Sequence, residues 1–100
     1  MFLGAYCEFA PNRNLPSMKE FFEKQPYPGK EKVIEYLRSG KVGFATAGIA
    51  EDVFTGDRIP GEYVSMSDGE YSWMSYLSYY VDKYNLRLPK KFEEKALNAG

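Results

Sequence analysis

Acidic side chains between residues 51 and 70 form the first group in this sequence that could do chemistry. Six acids stand there against the single base Arg58, a local charge of −5 in a chain whose net charge is −1. Carboxylates can work in pairs in acid–base hydrolysis or bind hard cations. The spacing matches no EF-hand loop and selects no catalytic pair, and the aspartates adjoin turn residues, where Asp is favoured for structural reasons. The remaining functional interpretation is contact with a basic partner.

Tyrosines are the second such group, and five of them lie between residues 71 and 84. An ideal helix places most of these rings on a buried stripe with Leu77. It places Tyr79 nearly opposite that stripe, with Tyr76 on its flank and Lys83 one turn further on. An exposed tyrosine pair beside a cation is typical of protein interfaces, whereas incidental exposure or a place in the core is the alternative. The candidate binding residues are therefore Glu51, Asp52, Asp57, Glu62, Tyr76, Tyr79 and Lys83.

The missing residue types exclude several classes of site. There is no histidine and a single cysteine, Cys7. Zinc sites of the Cys/His type and Ser-His-Asp or Cys-His catalytic groups are therefore excluded within one chain. We assign no catalytic residue, metal or cofactor. We expect Cys7, between Tyr6 and Glu8, to be a small buried apolar residue rather than a nucleophile.

Length and composition predict one domain over residues 1–100, with 44% hydrophobic and 17% aromatic residues to build a core. The nearly neutral charge disfavours binding to nucleic acid. No apolar run is long enough to span a bilayer, and the start lacks the cationic leader of a signal peptide. A lone thiol is compatible with a cytoplasmic location, which we take as the default.

The elements follow from local patterns. A strand is predicted in the opening FLGAYCEF, and a capping box at Ser17 and Glu20 begins a short helix. A second helix fits residues 30–39, with Gly40 as a left-handed C-cap. Strands are predicted at 42–47, 49–54 and 62–66, and Asp68-Gly69 turns the last of these into a hairpin with 70–73. A helix follows Trp73, and another follows Pro89. This order indicates an α+β fold, with three or four antiparallel strands packed against three or four helices.

Three motifs carry a resemblance to a known group. The runs DVFTG at 52–56, SDGEYSW at 67–73 and LSYYVDKYNLRLPKKF at 77–92 resemble a group of small uncharacterised bacterial proteins. Those proteins share a DVFTG…DGxYxW…LxYYVxKYxLxLPxxF pattern and have no assigned activity or cofactor. The resemblance covers about 40 of the 100 residues and implies a bacterial, soluble, stand-alone domain. It transfers no catalytic residue.

The leading functional hypothesis is a small cytosolic protein–protein interaction domain with an acidic face, analogous to immunity proteins that neutralise basic nuclease toxins. Two alternatives stay open at this point. One is a small-ligand binder or histidine-independent enzyme, and the other is a self-associating module whose tyrosines form a homo-oligomer contact. The enzyme would require a deep cleft in which acids and tyrosines converge, drawn from Asp52, Asp68, Tyr63, Tyr71 and Arg58.

Overall fold

The computed structural model describes residues 1–99 and has the expected α+β architecture: three α-helices and a three-stranded antiparallel sheet. The capping box is present, with the Glu20 carboxylate accepting a bond from the Ser17 N–H at 3.1 Å, but it begins only a short 3₁₀ helix. The elements in chain order are that 3₁₀ helix Met18–Phe21, α1 Lys30–Arg38, β1 Lys41–Ala45, β2 Val64–Ser67, β3 Ser72–Met74, α2 Leu77–Tyr84 and α3 Lys90–Asn98.

The sheet has the order β1-β2-β3, so β2 is central. The β2–β3 hairpin turns at Asp68-Gly69 as predicted. The Asp68 carboxylate accepts bonds from the N–H groups of Glu70 at 2.9 Å and Tyr71 at 2.7 Å, and Gly69 has a φ of 96°, which glycine adopts without steric cost. These bonds fix the register that places Met66 opposite Trp73.

The N-terminal segment lies against the outer side of β3. The N–H of Leu3 donates to the carbonyl of Ser72 at 2.7 Å, and the N–H of Ser72 donates to the carbonyl of Met1 at 2.8 Å. The strand predicted here is reduced to a single parallel bridge between Phe2 and Ser72, and the chain then turns at Gly4, where φ is 97°. This short contact nevertheless covers one edge of the sheet.

One core joins the sheet and the helices. Trp73, on β3, is 1% exposed, and its indole N–H donates to the carbonyl of Leu37 at the end of α1 at 3.1 Å. Phe92 of α3 packs edge-on against the Trp73 ring, with centroids 5.6 Å apart. Tyr80 and Val81 of α2 are completely buried. The aromatic residues near the C-terminus therefore lie mainly in the hydrophobic core, as their helical phase predicts.

Two local predictions are wrong. Gly40 is not a left-handed C-cap, since α1 ends with the N–H of Ser39 bonded to the carbonyls of Glu35 and Tyr36, and Gly40 is absent from the positive-φ glycines. A glycine is needed there because a Cβ at Gly40 would lie 2.7 Å from Cζ2 of Trp73. The segment predicted as a strand at 49–54 is a loop with a single β-bridge, because hydrogen bonds to the side chain of Asp52 hold it against α2. None of the helices formed by residues 1–99 combines the length and apolar character needed to cross a membrane.

Candidate functional site: the β1 edge and the acidic loop

The acidic loop, residues 50–62, is held in place by one buried carboxylate. Asp52 is 1% exposed and accepts hydrogen bonds from the hydroxyl of Tyr84 at 2.6 Å and that of Tyr79 at 2.8 Å, both on α2. Within the loop it accepts a bond from the N–H of Phe54 at 2.8 Å. The Lys83 ammonium lies 3.4 Å from the same carboxylate. Asp52 therefore joins the loop to the helix through charge-assisted bonds, which are the stronger kind.

Electrostatics keep this network in one protonation state at neutral pH. Burial by itself would raise the pKa of Asp52, but the hydrogen bonds from Tyr84, Phe54, Tyr79 and Lys83 outweigh it and lower the pKa to about 2. Burial, with the bond to Asp52 as the next cause, raises the pKa of Tyr84 to about 12. The Lys83 ammonium is bonded to the Tyr79 hydroxyl and contacts Asp52, and both interactions raise the pKa of Lys83. The carboxylate is thus ionised and fully occupied by partners from its own chain.

The predicted binding residues separate into two groups. Glu51, Asp57 and Glu62 are exposed on the acidic loop, whereas Asp52 is buried. Tyr79 is only partly buried, and its hydroxyl is bonded to Asp52 and to Lys83 at 3.1 Å. The acidic surface is therefore made of three side chains.

Tyr76 is also partly buried rather than exposed. Its ring lies 5.0 Å from that of Phe9 and 5.7 Å from that of Tyr63, and burial raises the pKa of its hydroxyl to about 12. Helical phase placed Tyr76 and Tyr79 outward, but the N-terminal segment and the acidic loop cover them. These two tyrosines are packing residues in the folded chain.

The acidic loop folds back on itself. The N–H of Asp52 donates to the carbonyl of Asp57 at 2.8 Å, and the N–H of Ile59 donates to the carbonyl of Ala50 at 2.9 Å. The backbones of Glu51 and Arg58 form an antiparallel β-bridge across the loop. The exposed acids are thus presented on a closed backbone, with Val53 at its tip 41% exposed.

The residues named for a ligand cleft do not meet in one place. Asp68 belongs to a different network from Asp52, in which it accepts a bond from the Tyr36 hydroxyl at 2.6 Å and pairs with Lys95 at 3.0 Å. The cavity beside Tyr63 has a volume of about 20 Å³, which is room for about one water molecule. Among residues 1–99, no three acidic or Cys side chains are grouped as metal ligands.

The β1 edge, Lys41–Ala45, is the most exposed structured element of the chain. Every residue from 41 to 49 is exposed, including Val42 at 59%, Phe44 at 65% and Ile49 at 53%. Register places Val42 opposite Met66, which itself lies opposite Trp73, so Val42 is on the core side of the sheet. It is nevertheless exposed, because the contacts of β1 among the described residues are mainly with β2 and not with a helix.

A bulge interrupts β1. Val42 lies opposite Met66 and Ala45 opposite Val64, so Gly43 and Phe44 both oppose Ser65. The N–H of Phe44 donates to the Ser65 hydroxyl at 2.9 Å, which satisfies the group that the bulge removes from the ladder. Such bulges are common at sheet edges, where they bend the strand.

The backbone of Ala45 points away from the sheet. Its partner Val64 is bonded to Ser75 on the other side, with the Val64 N–H donating to the Ser75 hydroxyl at 3.0 Å and the Val64 carbonyl accepting from the Ser75 N–H at 2.8 Å. The N–H of Thr46, the residue directly after β1, donates to the carbonyl of Tyr63 at 2.8 Å. Backbone directions alternate along a strand, so the N–H and carbonyl of Ala45 face solvent.

Comparison of this chain with protein-family models, with curated proteins and with solved structures gives no match.

Sequence reasoning missed the exposed apolar side chains in and just after the β1 edge, which are Val42, Phe44 and Ile49. The small and β-forming residues predict a strand at 42–47, but they do not indicate whether that strand is covered or lies at an edge. One feature could have identified it as an edge. The run from residue 42 to 50 contains no charged side chain, yet its two glycines and three alanines offer little bulk for a core.

Proposed function

We propose that this protein is a small protein–protein interaction domain that contacts its partner through the β1 edge and the exposed acids of the acidic loop. The observation that carries the proposal is the continuous exposure of residues 41–49 with three large apolar side chains among them. Exposed apolar residues next to polar ones are typical of interaction sites, whereas single exposed hydrophobic residues are ordinary.

The acidic loop gives this surface its charge. Asp52 and Asp68 are paired with Lys83 and Lys95. Glu51, Asp57 and Glu62 are exposed, with Arg58 as the one base among the exposed charges of the loop. A basic partner is favoured, because complementary charge steers association. The analogy to immunity proteins concerns this charge arrangement alone.

The setting we propose is the cytoplasm of a bacterium. The resemblance of the 52–92 motifs supports the bacterial origin, and the single unpaired thiol of Cys7 is compatible with a reducing compartment. In this setting the protein would work by binding, with no cofactor.

Site-specific photo-crosslinking in the native cell tests the proposal. A photoreactive amino acid replaces Phe44 on the β1 edge, and the matched control replaces Phe21, which is also an exposed phenylalanine but lies on the 3₁₀ helix, outside both β1 and the acidic loop. We expect a crosslinked species of defined mass from position 44 and none of that mass from position 21. Mass spectrometry then identifies the partner.

Equal labelling at both positions, or no discrete product at position 44, would overturn the proposal. A second variant, Glu51→Lys with Glu62→Lys, tests the charge. We expect it to reduce the yield of the position-44 product at least about threefold, because rim charges set association rates.

A further inference from the structure

We propose that the partner adds an extended segment to the free side of β1 as a fourth strand, and that this segment combines apolar with basic side chains. The inference rests on the proposed function and specifies the chemistry of the partner. Strand addition of this kind gains its affinity from backbone hydrogen bonds and its selectivity from side chains.

The backbone groups needed for strand addition are available at Ala45. Its N–H and carbonyl point away from β2, as the bonds of Val64 to Ser75 require. Ala45 is exposed, and its small side chain leaves room for an incoming strand. An edge strand with free backbone groups is a template for pairing with another chain.

The two edges of the sheet are not equivalent. The outer side of β3 is occupied by Met1 and Leu3, which bond to both backbone groups of Ser72. The sheet order ends at β1 on the other side. Within residues 1–99, β1 is therefore the edge at which a new strand can add.

Charge defines the orientation of the segment's basic residues. Glu62 directly precedes Tyr63, whose carbonyl accepts the bond from Thr46, so Glu62 lies near the Ala45 end of β1. Glu51 follows two residues after Ile49 on the same connection. Lys41 lies at the opposite end. The segment is thus expected to place its basic side chains near Ala45, and apolar ones beside Val42 and Phe44.

A second copy of this chain fits the edge less well. Symmetric pairing of two β1 strands is antiparallel, so it would set the bulge at Gly43 and Phe44 against its own copy and interrupt the ladder on both strands. The acids near Ala45 would then face the Lys41 end of the other copy, so the bulge, and not charge, is the feature that disfavours a second copy. A flexible segment of another protein can adapt to the bulge and supply the opposite charge.

Peptide titration followed by amide NMR tests the inference on the full chain. The probe is a peptide of about eight residues that alternates Arg with Val, long enough to run the length of β1. One control replaces each Arg with Glu. In two further control peptides every second amide is N-methylated, at the odd positions in one phase and at the even positions in the other. Each phase therefore removes the N–H donors along one edge of the peptide without changing its charge.

We expect the Arg/Val peptide to shift the amide resonances of Ala45 and its neighbours, and the Glu/Val peptide to leave them unchanged. At least one N-methylated phase should bind about tenfold more weakly, since it removes backbone donors. Glu62→Lys should weaken binding about fivefold at low salt, whereas Glu31→Lys, an exposed residue of α1, should not.

Several results would overturn the inference. Unchanged affinity in both N-methylated phases would show contact by charge alone, and equal binding of the Glu/Val peptide would remove the charge argument. No shift at Ala45 with about 1 mM Arg/Val peptide, a concentration that detects even millimolar affinity, would remove strand addition. A concentration-dependent dimer protected at Ala45 would identify a second copy as the occupant. In each case a crosslinked product at position 44 would still support the proposed function. The absence of that product would disprove the proposed function, whatever the peptide titration shows.

Discussion

Asp52 shows how a residue that the sequence marks as a binding acid becomes a structural one. Its carboxylate faces three hydrogen-bond donors of α2, of which Tyr79 and Lys83 are one helical turn apart. Buried acids require such partners, because an unpaired buried charge is costly. The closed loop that carries the exposed acids therefore depends on the one acid that is not exposed.

Asp52→Asn should destabilise the fold while leaving its shape intact. The amide keeps the volume but loses the charge, and it sets an N–H₂ group against the hydroxyls of Tyr79 and Tyr84. We expect the free energy of unfolding to fall by about 2–3 kcal/mol, the typical cost of leaving buried polar groups without partners. Urea denaturation followed by Trp73 fluorescence measures it. Asp57→Asn, at an exposed site in the same loop, is the control and should change it by less than about 0.5 kcal/mol.

Acid should remove the stabilisation that Asp52 provides. Its pKa is lowered to about 2 in the folded chain but is close to 4 when unfolded. Because the folded pKa is the lower one, the contribution is complete above about pH 4 and is lost as the pH falls from there towards 2.

The difference in unfolding free energy between the native protein and Asp52→Asn, measured in urea at pH 6 and at pH 2.5, should therefore shrink by about half or more. A difference that is the same at both pH values would contradict the assigned network.

At the residue scale the sequence predicted local hydrogen bonds better than it predicted which side chains are buried. The turn at Asp68-Gly69 was predictable because its bonds are local, from the carboxylate to the N–H groups two and three residues on. The burial of Asp52 was not, since its partners on α2 are 27 to 32 residues away. Tyr79 was assigned to solvent by helical phase alone, which ignores loops that pack over a helix.

At the scale of elements, helices were predicted more accurately than strands. α1 and α3 have local start and stop signals and apolar faces that a sequence displays directly. Strand positions depend on pairing across the sheet, which the sequence does not display. The N-terminal strand was therefore overestimated, and the strand at 49–54 is a loop whose shape Asp52 sets.

The junction between α1 and β1 depends on close contact between Gly40 and Trp73. Gly40→Ala would place a Cβ 2.7 Å from a ring that is 1% exposed and fixed by its bond to Leu37. Overpacking of this kind typically costs 1–3 kcal/mol, and we expect a loss of about 2 kcal/mol in unfolding free energy. Denaturation in urea, with the emission maximum of Trp73 as a second reading, measures it.

Gly43→Ala is the matched control for this prediction. Neither glycine has a positive φ, so the comparison isolates the steric contact. A Cβ at Gly43 would meet the Ser65 hydroxyl at 2.5 Å, a group that can rotate away at the cost of its bond to Phe44. We expect a loss of about 1 kcal/mol or less, close to one hydrogen bond. A larger loss at Gly43 than at Gly40 would contradict the steric argument.

For the whole molecule, the buried residues and the exposed segment are unevenly distributed along the chain. The core connects the N-terminal segment, all three helices and the central sheet, whereas residues 41–49 contribute no buried side chain. Segments with few buried apolar contacts open locally at a low free-energy cost, and surfaces that bind partners are often drawn from such segments. The β1 edge is therefore expected to be the least protected part of the sheet.

Amide hydrogen exchange can test this distribution directly. In dilute protein we expect the amide of Ala45, which faces solvent, to exchange at least about a thousandfold faster than that of Val81, a completely buried residue of α2. Thr46, bonded to the carbonyl of Tyr63 at 2.8 Å, is the internal control and should be intermediate, because local opening of β1 exposes it. Protection of Ala45 equal to that of Val81 would mean that the free side of β1 is already covered in the isolated protein, and the edge could then not be the place where a partner strand adds.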